Sequence, residues 1–415
     1  MKLSNQYIKT IKGDTKEFDC RSHELLVAAG FIDATASGIY TLLPPALKVL
    51  NKIENIIREE LNSLGSMELL LPSLHPKILW DTTGRWDAVD FHFKVKSEHN
   101  REYALGASHE EVATPLAQKY ITSYKDLPLS FYQIATKYRD EPRPKSGIMR
   151  GREFRMNDMY SFHATKEDLV DFYQKTLQCY LAIYKKMGLD LVRITEASGG
   201  VFTENRSHEF SVPTPAGEDD LLYCKNCEFT QNMEVANQGL KKCPKCSGEL
   251  DNTKAIEIGN IFQYDFRYSE KFNFKFVDED NKNHLVYTGA YGIGTTRLIG
   301  AIVETHNDEH GMIWPDSVTP FHAHLCCLSE SKRPFADLLY RSLQSEGLDV
   351  LYDDRSDVSV GEKLAIADLV GAPVRLIVSE KAKDTVEVKL RTDDKKNFLS
   401  PNEVINHLKD YFIEK

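Results

Sequence analysis

The stretch Phe131–Phe162, FYQIATKYRDEPRPKSGIMRGREFRMNDMYSF, gathers the side chains best suited to chemistry. Between Lys137 and Arg155 it carries seven cations and three carboxylates, a local charge of +4 in a chain whose formal charge is −10. Residues Phe131–Arg139 are β-rich, and period-2 alternation places Gln133, Lys137 and Arg139 on one face, which Glu141 continues. A return strand beginning near Gly151 puts Arg152 and Phe154 on a common side. An arginine for a phosphate, a carboxylate for an amine or ring nitrogen and an aromatic ring for a base together make a nucleotide clamp. A salt-bridged hairpin on a solvated face uses the same residue types, so the hairpin takes its meaning from the rest of the chain.

A second phosphate signal is Tyr287–Glu304, YTGAYGIGTTRLIGAIVE. Gly289, Gly292 and Gly294 precede Arg297, and an apolar helical run follows. Glycines at a strand end let backbone approach a ligand closely. Arg297 then falls in the first helical turn, where a bound phosphate offsets the repulsion between a cation and the helix dipole. The glycine spacing is not that of a dinucleotide fingerprint.

Four of the eight cysteines form Cys224-x2-Cys227-x15-Cys243-x2-Cys246. Two such knuckles supply four thiolates for a tetrahedral zinc ion. Four thiolates leave no open position, so the expected ion is structural, in a ribbon-like insert over 221–250. Cys20, Cys179, Cys326 and Cys327 read as ordinary buried thiols.

The elements that must position these groups follow the hydrophobic period. Ser22–Ala29, Ala46–Leu64 and Lys166–Met187 read as amphipathic helices. GSMELLLP, Gly65–Pro72, reads as a strand, and Tyr103–Leu105 leads through a turn into a helix. An antiparallel sheet is expected to close through Ile256–Phe262, Lys275–Val277 and Tyr287–Gly292. Pro315 and Pro320 mark an exit. Beyond them, strands at His322–Leu328, Asp349–Tyr352, Val374–Val378 and Val386–Leu390 accompany helices at Pro334–Glu346, Val360–Leu369 and Glu403–Phe412, an α/β pattern. No apolar run approaches the ~18 residues of a membrane span, and the polar start MKLSNQYIKTIKGDTKEFD lacks a secretory core. A soluble, cytoplasmic protein without a membrane partner is expected.

Taken in order, these segments resemble the class II aminoacyl-tRNA synthetases: GSMELLLP is similar to motif 1, the hairpin with Arg139-Asp140-Glu141 to motif 2, and GIGTTR to motif 3. GASHEE at Gly106–Glu111, SHEF at Ser207–Phe210, IEIGNIF at Ile256–Phe262 and YGIG before Arg297 narrow the resemblance to prolyl-tRNA synthetases of the bacterial type, over nearly the whole chain. The resemblance implies an α+β fold: a class II antiparallel sheet with flanking helices over 1–318, and an α/β anticodon-binding domain over 319–415. It implies L-proline, ATP with Mg2+ and tRNA(Pro) as partners, and a homodimer formed through motif 1.

The family's roles carry over position by position. Arg139 is expected to hold the α-phosphate and the substrate carboxylate, Glu141 the adenine side, Arg152 the ATP phosphates, and Phe154 to stack on adenine. Arg297 takes the γ-phosphate, with Thr295 beside it. Ser108, in place of the usual Thr, and Glu110 take the proline amine, His208 lines the proline pocket, and Glu257 holds Mg2+ through water. Only Glu228–Lys242 separates the two knuckles, so the large editing insertion of many bacterial relatives is absent. A proline pocket gains only ~1–3 kcal/mol per methylene against a smaller amino acid, which predicts detectable mischarging of alanine. Two alternatives compete. A paralog of other specificity is disfavoured by SHEF and GASHEE. A non-catalytic regulatory protein on this fold is disfavoured by the retained Arg139 and Arg297.

Overall fold

In the computed structural model, residues 1–5, 18–200, 203, 205–237 and 239–412 are described, so most of the polar N-terminal stretch noted above lies outside them. Internal contacts divide the chain into two compact units, Ala34–Tyr40 with Ile53–Ala301, and Met1–Asp33 and Thr41–Lys52 with Ile302–Lys415.

Among the described residues of the first unit, nine strands form one sheet. Their order is Ser207–Pro213, Arg193–Ala197, Thr230–Asn232, Asp219–Cys224, Leu250–Asp265, Tyr287–Ile293, Glu153–His163, Leu129–Tyr138 and Met67–Glu68. The strand Ser207–Pro213 also pairs with Leu250–Asp265. Pairing is antiparallel except where Met67 meets Phe131 and where Gln231 meets Glu196. The expected hairpin is present as Leu129–Tyr138 against Glu153–His163, in register from Leu129↔Phe162 to Tyr138↔Glu153.

One face of the sheet is covered by the helix Lys166–Lys186. Thr165 caps it by accepting a hydrogen bond from the Asp168 amide at 3.2 Å, and Lys185 and Lys186 sit in its last turn. Its buried stripe includes Leu169, Tyr173, Leu177, Tyr180 and Tyr184, spaced to return to one side. Tyr180 and Tyr184 pack their rings on Phe210 at 5.4 and 5.3 Å. Gly259 makes this packing possible: a Cβ there would stand 2.2 Å from Tyr184 Oη. The opposite face is left open by Asp158, Tyr160, Asn260, Phe262 and Gly292, which line a cavity.

Two expectations need correction. Lys275–Val277 is not in the main sheet; it pairs with Asn283–Leu285 in a separate hairpin. The reason is local: Asp278 Oδ1 accepts from the Asp280 and Lys282 amides, closing a tight Asx turn before the strand can reach further. GSMELLLP pairs only at Met67–Glu68, leaving Leu70 78% exposed.

The second unit holds a five-stranded sheet, ordered Val350–Asp353, Ala323–Cys327, Val374–Val378, Val386–Leu390 and Lys396–Leu399. The first three strands are parallel and the last two antiparallel. Parallel neighbours need crossovers, which Arg333–Ser345 and Val360–Val370 supply. Leu325, Leu339, Leu343, Leu376, Val388 and Leu408 share its apolar core. No described helix is long and apolar enough to cross a membrane.

Candidate active site

Two adjoining cavities of about 340 and 270 Å³ open on the nine-stranded sheet, and both are lined by Arg139, Phe154, Glu257 and Arg297. The hairpin supplies Arg139 and Phe154, the strand Leu250–Asp265 supplies Glu257, and the helix Thr295–Thr305 supplies Arg297 in its first turn. Arg139 Nε donates to the Ala107 carbonyl at 3.3 Å, and its guanidinium lies 5.3 Å from the Phe154 ring centre. Burial, then the nearby Arg297, disfavours its charged form. Arg297 is aimed by the Met149 carbonyl at 2.8 Å, the Glu257 carbonyl at 2.7 Å and Glu257 Oε2 at 3.3 Å. Two cations held at one cleft by backbone carbonyls suit an anionic ligand.

The larger cavity is lined by Ser108, Glu110, Lys137, Asp158, Glu209 and Phe262, among others. Glu110 opens the helix Glu110–Gln118 and is 6% exposed. Its Oε1 accepts from Tyr264 Oη at 3.0 Å, while Oε2 and the Ser108 hydroxyl have no partner among the described residues. A buried carboxylate oxygen and a hydroxyl left open at a cavity wall are a ready receptor for an ammonium group.

Two buried charge clusters brace this wall, one of them reaching the cavity itself. Lys137 is paired with Asp158 and lies 2.9 Å from His109 Nδ1. Asp158 also accepts from Gln133 and from Tyr160 Oη, and that hydroxyl takes the His109 amide. Burial, opposed by Asp158, lowers the Lys137 pKa. Arg85 donates to Glu111 at 2.7 Å and to Tyr268 Oη at 3.1 Å. Burial pushes the Glu111 carboxyl up to about 7 despite this arginine. Glu111 adjoins Glu110, so the pair fixes the first turn of the helix that presents Glu110.

The smaller cavity is lined by Glu141, Arg150, Glu218, Asp219, Thr296 and Ile256, among others. Glu141 accepts from Arg150 Nε at 2.9 Å, and Arg150 also pairs with Glu218. Burial alone would raise the Glu141 pKa, but the hydrogen bonds from Arg150 and the Arg143 amide bring it below the usual carboxylate value. Glu209 is pushed up to about 9, by burial first and then by Glu257, Asp219 and Glu234, and Asp219 to about 6 by burial and Glu257. The cleft thus pairs two cations with a crowd of carboxylates short of positive charge.

The structure brings Ser108, Glu110, Arg139, Glu141, Phe154, Glu257 and Arg297 together at these cavities. Three other expected residues are turned away. Arg152 gives its guanidinium to the Glu141 carbonyl at 3.0 Å and the Ser37 carbonyl at 2.8 Å, and Arg150 takes the cavity wall instead. His208 faces the helix side, where its Nδ1 meets Tyr173 Oη at 2.7 Å; strand alternation gives the cavity to Glu209. Thr295 is fully buried, 3.3 Å from Glu54, and Thr296 lines the cavity. Lys137, Asp158 and Glu218 also line the cavities; alternation puts Lys137 on the hairpin face that meets them, while no motif marks Asp158 or Glu218. The four thiols of Cys224, Cys227, Cys243 and Cys246 gather elsewhere, within 4.8 Å of one another.

Comparison with known proteins decides the family. Residues 93–306 match the profile of the tRNA synthetase class II core domain (G, H, P, S and T), and residues 318–411 match an anticodon binding domain. A proline–tRNA ligase of Wolbachia sp. subsp. Drosophila simulans (strain wRi) is 39% identical over 98% of this chain and 99% of its own length. The chain belongs to the proline–tRNA ligase family. A second family member, from Ehrlichia chaffeensis, is 39% identical over 99% of this chain and all of its own length. That from Zymomonas mobilis (strain ATCC 10988) is 37% identical over 98% of each. Among solved structures, a prolyl-tRNA synthetase from Cryptosporidium parvum complexed with L-proline and AMP has the same fold, with a TM-score of 0.76 at 18% identity, covering 95% of this chain and 75% of that one.

Proposed function

We propose that this chain activates L-proline with ATP to prolyl-adenylate and transfers the prolyl group to the 3′ end of tRNA(Pro). The observation that carries this reading is the unpartnered Glu110 Oε2 and Ser108 Oγ in the larger cavity, with Arg139 and Arg297 where it joins the smaller one. The secondary ammonium of proline fits the first pair, and its carboxylate and the α-phosphate fit Arg139. Phe154 and Glu141 suit adenine, and Arg297 the terminal phosphates, with Arg150 at the wall in the place expected of Arg152. The oxygen donors of Glu257 and its neighbours suit Mg2+, which neutralises phosphate charge when it accompanies ATP.

A proline carboxylate oxygen attacks the α-phosphorus, the bond to pyrophosphate breaks, and the mixed anhydride forms. A ribose hydroxyl of the terminal adenosine of tRNA then takes the prolyl group and AMP leaves. The chain's contribution is to hold the two anions in line and to stabilise the charge that builds between Arg139 and Arg297. In this reading residues 1–318 serve catalysis in the cytoplasm and 319–415 bind the anticodon. The exposed Met67, on the sheet's edge strand, and Leu70, just beyond it, serve a homodimer, and the four thiolates take a structural zinc ion.

The test is charging of a tRNA(Pro) transcript with labelled amino acids. Prolyl-tRNA with a minor alanyl product that the enzyme does not deacylate is the expected result. Charging of a different amino acid, or none, contradicts the proposal.

A further inference from the structure

The thiols of Cys224 and Cys246 lie 3.5 Å apart, as do those of Cys227 and Cys243, so each contact joins one knuckle to the other. A disulfide would bring two sulfurs to about 2.05 Å, whereas a tetrahedron of zinc–sulfur bonds of about 2.3 Å has edges of about 3.8 Å. The first knuckle is shaped for thiolate, since the Asn226 amide donates to Cys224 Sγ at 3.3 Å. Apart from the cysteines, the apolar side chains clustered here are Phe229, Leu240 and Leu250. That is too little apolar surface to order the loops on either side of them.

The backbone connects this cluster to the cleft. Asp219–Cys224 runs from the wall of the smaller cavity to the first knuckle, paired from Asp219↔Ala255 to Cys224↔Leu250. The partner strand leaves the second knuckle at Leu250 and returns to Glu257 at both cavities. Thr230–Asn232, paired on Leu221–Tyr223, leads to Glu234, which lines the larger cavity and accepts the Ser198 amide at 2.9 Å. Three strands therefore start or end within four residues of a knuckle cysteine, and they or the residues next to them supply Glu218, Asp219, Glu257 and Glu234. Five residue steps along the strand separate Cys224 from Asp219, about 17 Å.

We propose that the four thiolates bind one zinc ion, and that this ion clamps the strand ends so as to hold the acidic wall of the nucleotide cavity in place. The second half rests on the reading of the cleft as the ATP site; the first half does not.

Metal analysis of the full-length protein, joined to calorimetric titration with ATP and Mg2+, tests both halves. One zinc per chain is expected. Stripping it with a mercurial and chelator, then restoring the thiols, should weaken ATP binding roughly tenfold, short of the hundredfold that a 1 Å misplacement costs at reacting atoms. Added zinc should restore the affinity. Cys246→Ser, at the exposed ligand, should reproduce the stripped state with the far-UV dichroism retained. Protein with less than one zinc in ten chains, or with iron in its place, overturns the metal assignment. Zinc-free protein that binds ATP as tightly as the loaded form overturns the clamp, as does collapse of the whole sheet on stripping. Zinc-loaded protein that binds no ATP sinks the reading of the cleft, and the clamp with it, while leaving the metal count standing.

Discussion

In the five-stranded sheet, the central strand Val374–Val378 is buried almost throughout, and its neighbour Ala323–Cys327 is buried at every position. The polar groups that enter this unit are largely settled: Asp353 takes two hydrogen bonds from Arg355, and Lys363 donates to the Cys327 carbonyl at 2.6 Å. His324 is one exception, with both ring nitrogens buried and unpartnered among the described residues, and burial lowers its pKa to about 4, so that it is neutral at pH 7. Beside the nine-stranded sheet, Glu110 and Ser108 are also buried, at 6 and 7% exposed, but their open atoms face a cavity. An unpartnered atom inside a packed core is a cost with no occupant. The same atom at a cavity wall is half of an interaction whose other half is the ligand. The two sheets thus separate burial for stability from burial for binding, and substitutions should affect one without the other.

The largest effect is expected from Arg139→Ala. Removing a charged donor aimed at the reacting centre should lower proline-dependent pyrophosphate exchange about 10³-fold, with a melting temperature close to that of the parent. Retained exchange would mean that the hairpin arginine does not touch the reaction. Leu376→Ala makes the converse cut: a fully buried leucine lost from the smaller sheet should cost about 2–5 kcal/mol of that unit's stability by calorimetry. Exchange per folded molecule should stay the same. Glu110→Gln removes the charge but keeps the shape, and should raise the KM for proline about 10–100-fold, the equivalent of about 1.5–3 kcal/mol, with a smaller change in the KM for ATP. An equal rise in both would place Glu110 in a general structural role.

The smallest effect lies in the second unit. Arg391 forks onto Asp308 at 2.8 and 2.6 Å and, with two loop amides, holds its carboxyl down to about 2. A pKa below the unfolded value of about 3.9 means that the pair stabilises the fold above that pH and loses its contribution as pH falls through about 2. Arg391→Ala should therefore cost about 1 kcal/mol at pH 7, a modest figure for a partly exposed pair, and much less near pH 2. A deficit that does not change with pH would assign the effect to packing.

Much of this layout was legible in the residues. The hairpin faces followed from alternation, so Gln133, Lys137 and Arg139 were placed together, and the glycines of IEIGNIF and YGIG marked where strands, helix and ligand crowd. What the sequence could not resolve was orientation at single positions. In Met149-Arg150-Gly151-Arg152 the two arginines are chemically equal, and Gly38 decides between them: its carbonyl binds the Arg152 amide at 2.7 Å and would stand 2.8 Å from a Cβ on Gly151. In Ser207-His208-Glu209-Phe210 the choice rests on which face meets Tyr173, a contact across 35 positions. Thr295 and Thr296 differ only by 100° around a helix start. Lys275–Val277 has strand composition, but the Asx turn after it fixes its partner. Errors of one residue arose wherever a long-range contact chose the face.

The central claim is that the cleft activates proline. Pyrophosphate exchange into ATP with the purified protein, scanned over the standard amino acids, tests it most directly. The account predicts exchange with proline far above all others and a minor signal with alanine. Exchange led by another amino acid, or absent with every one, would contradict it.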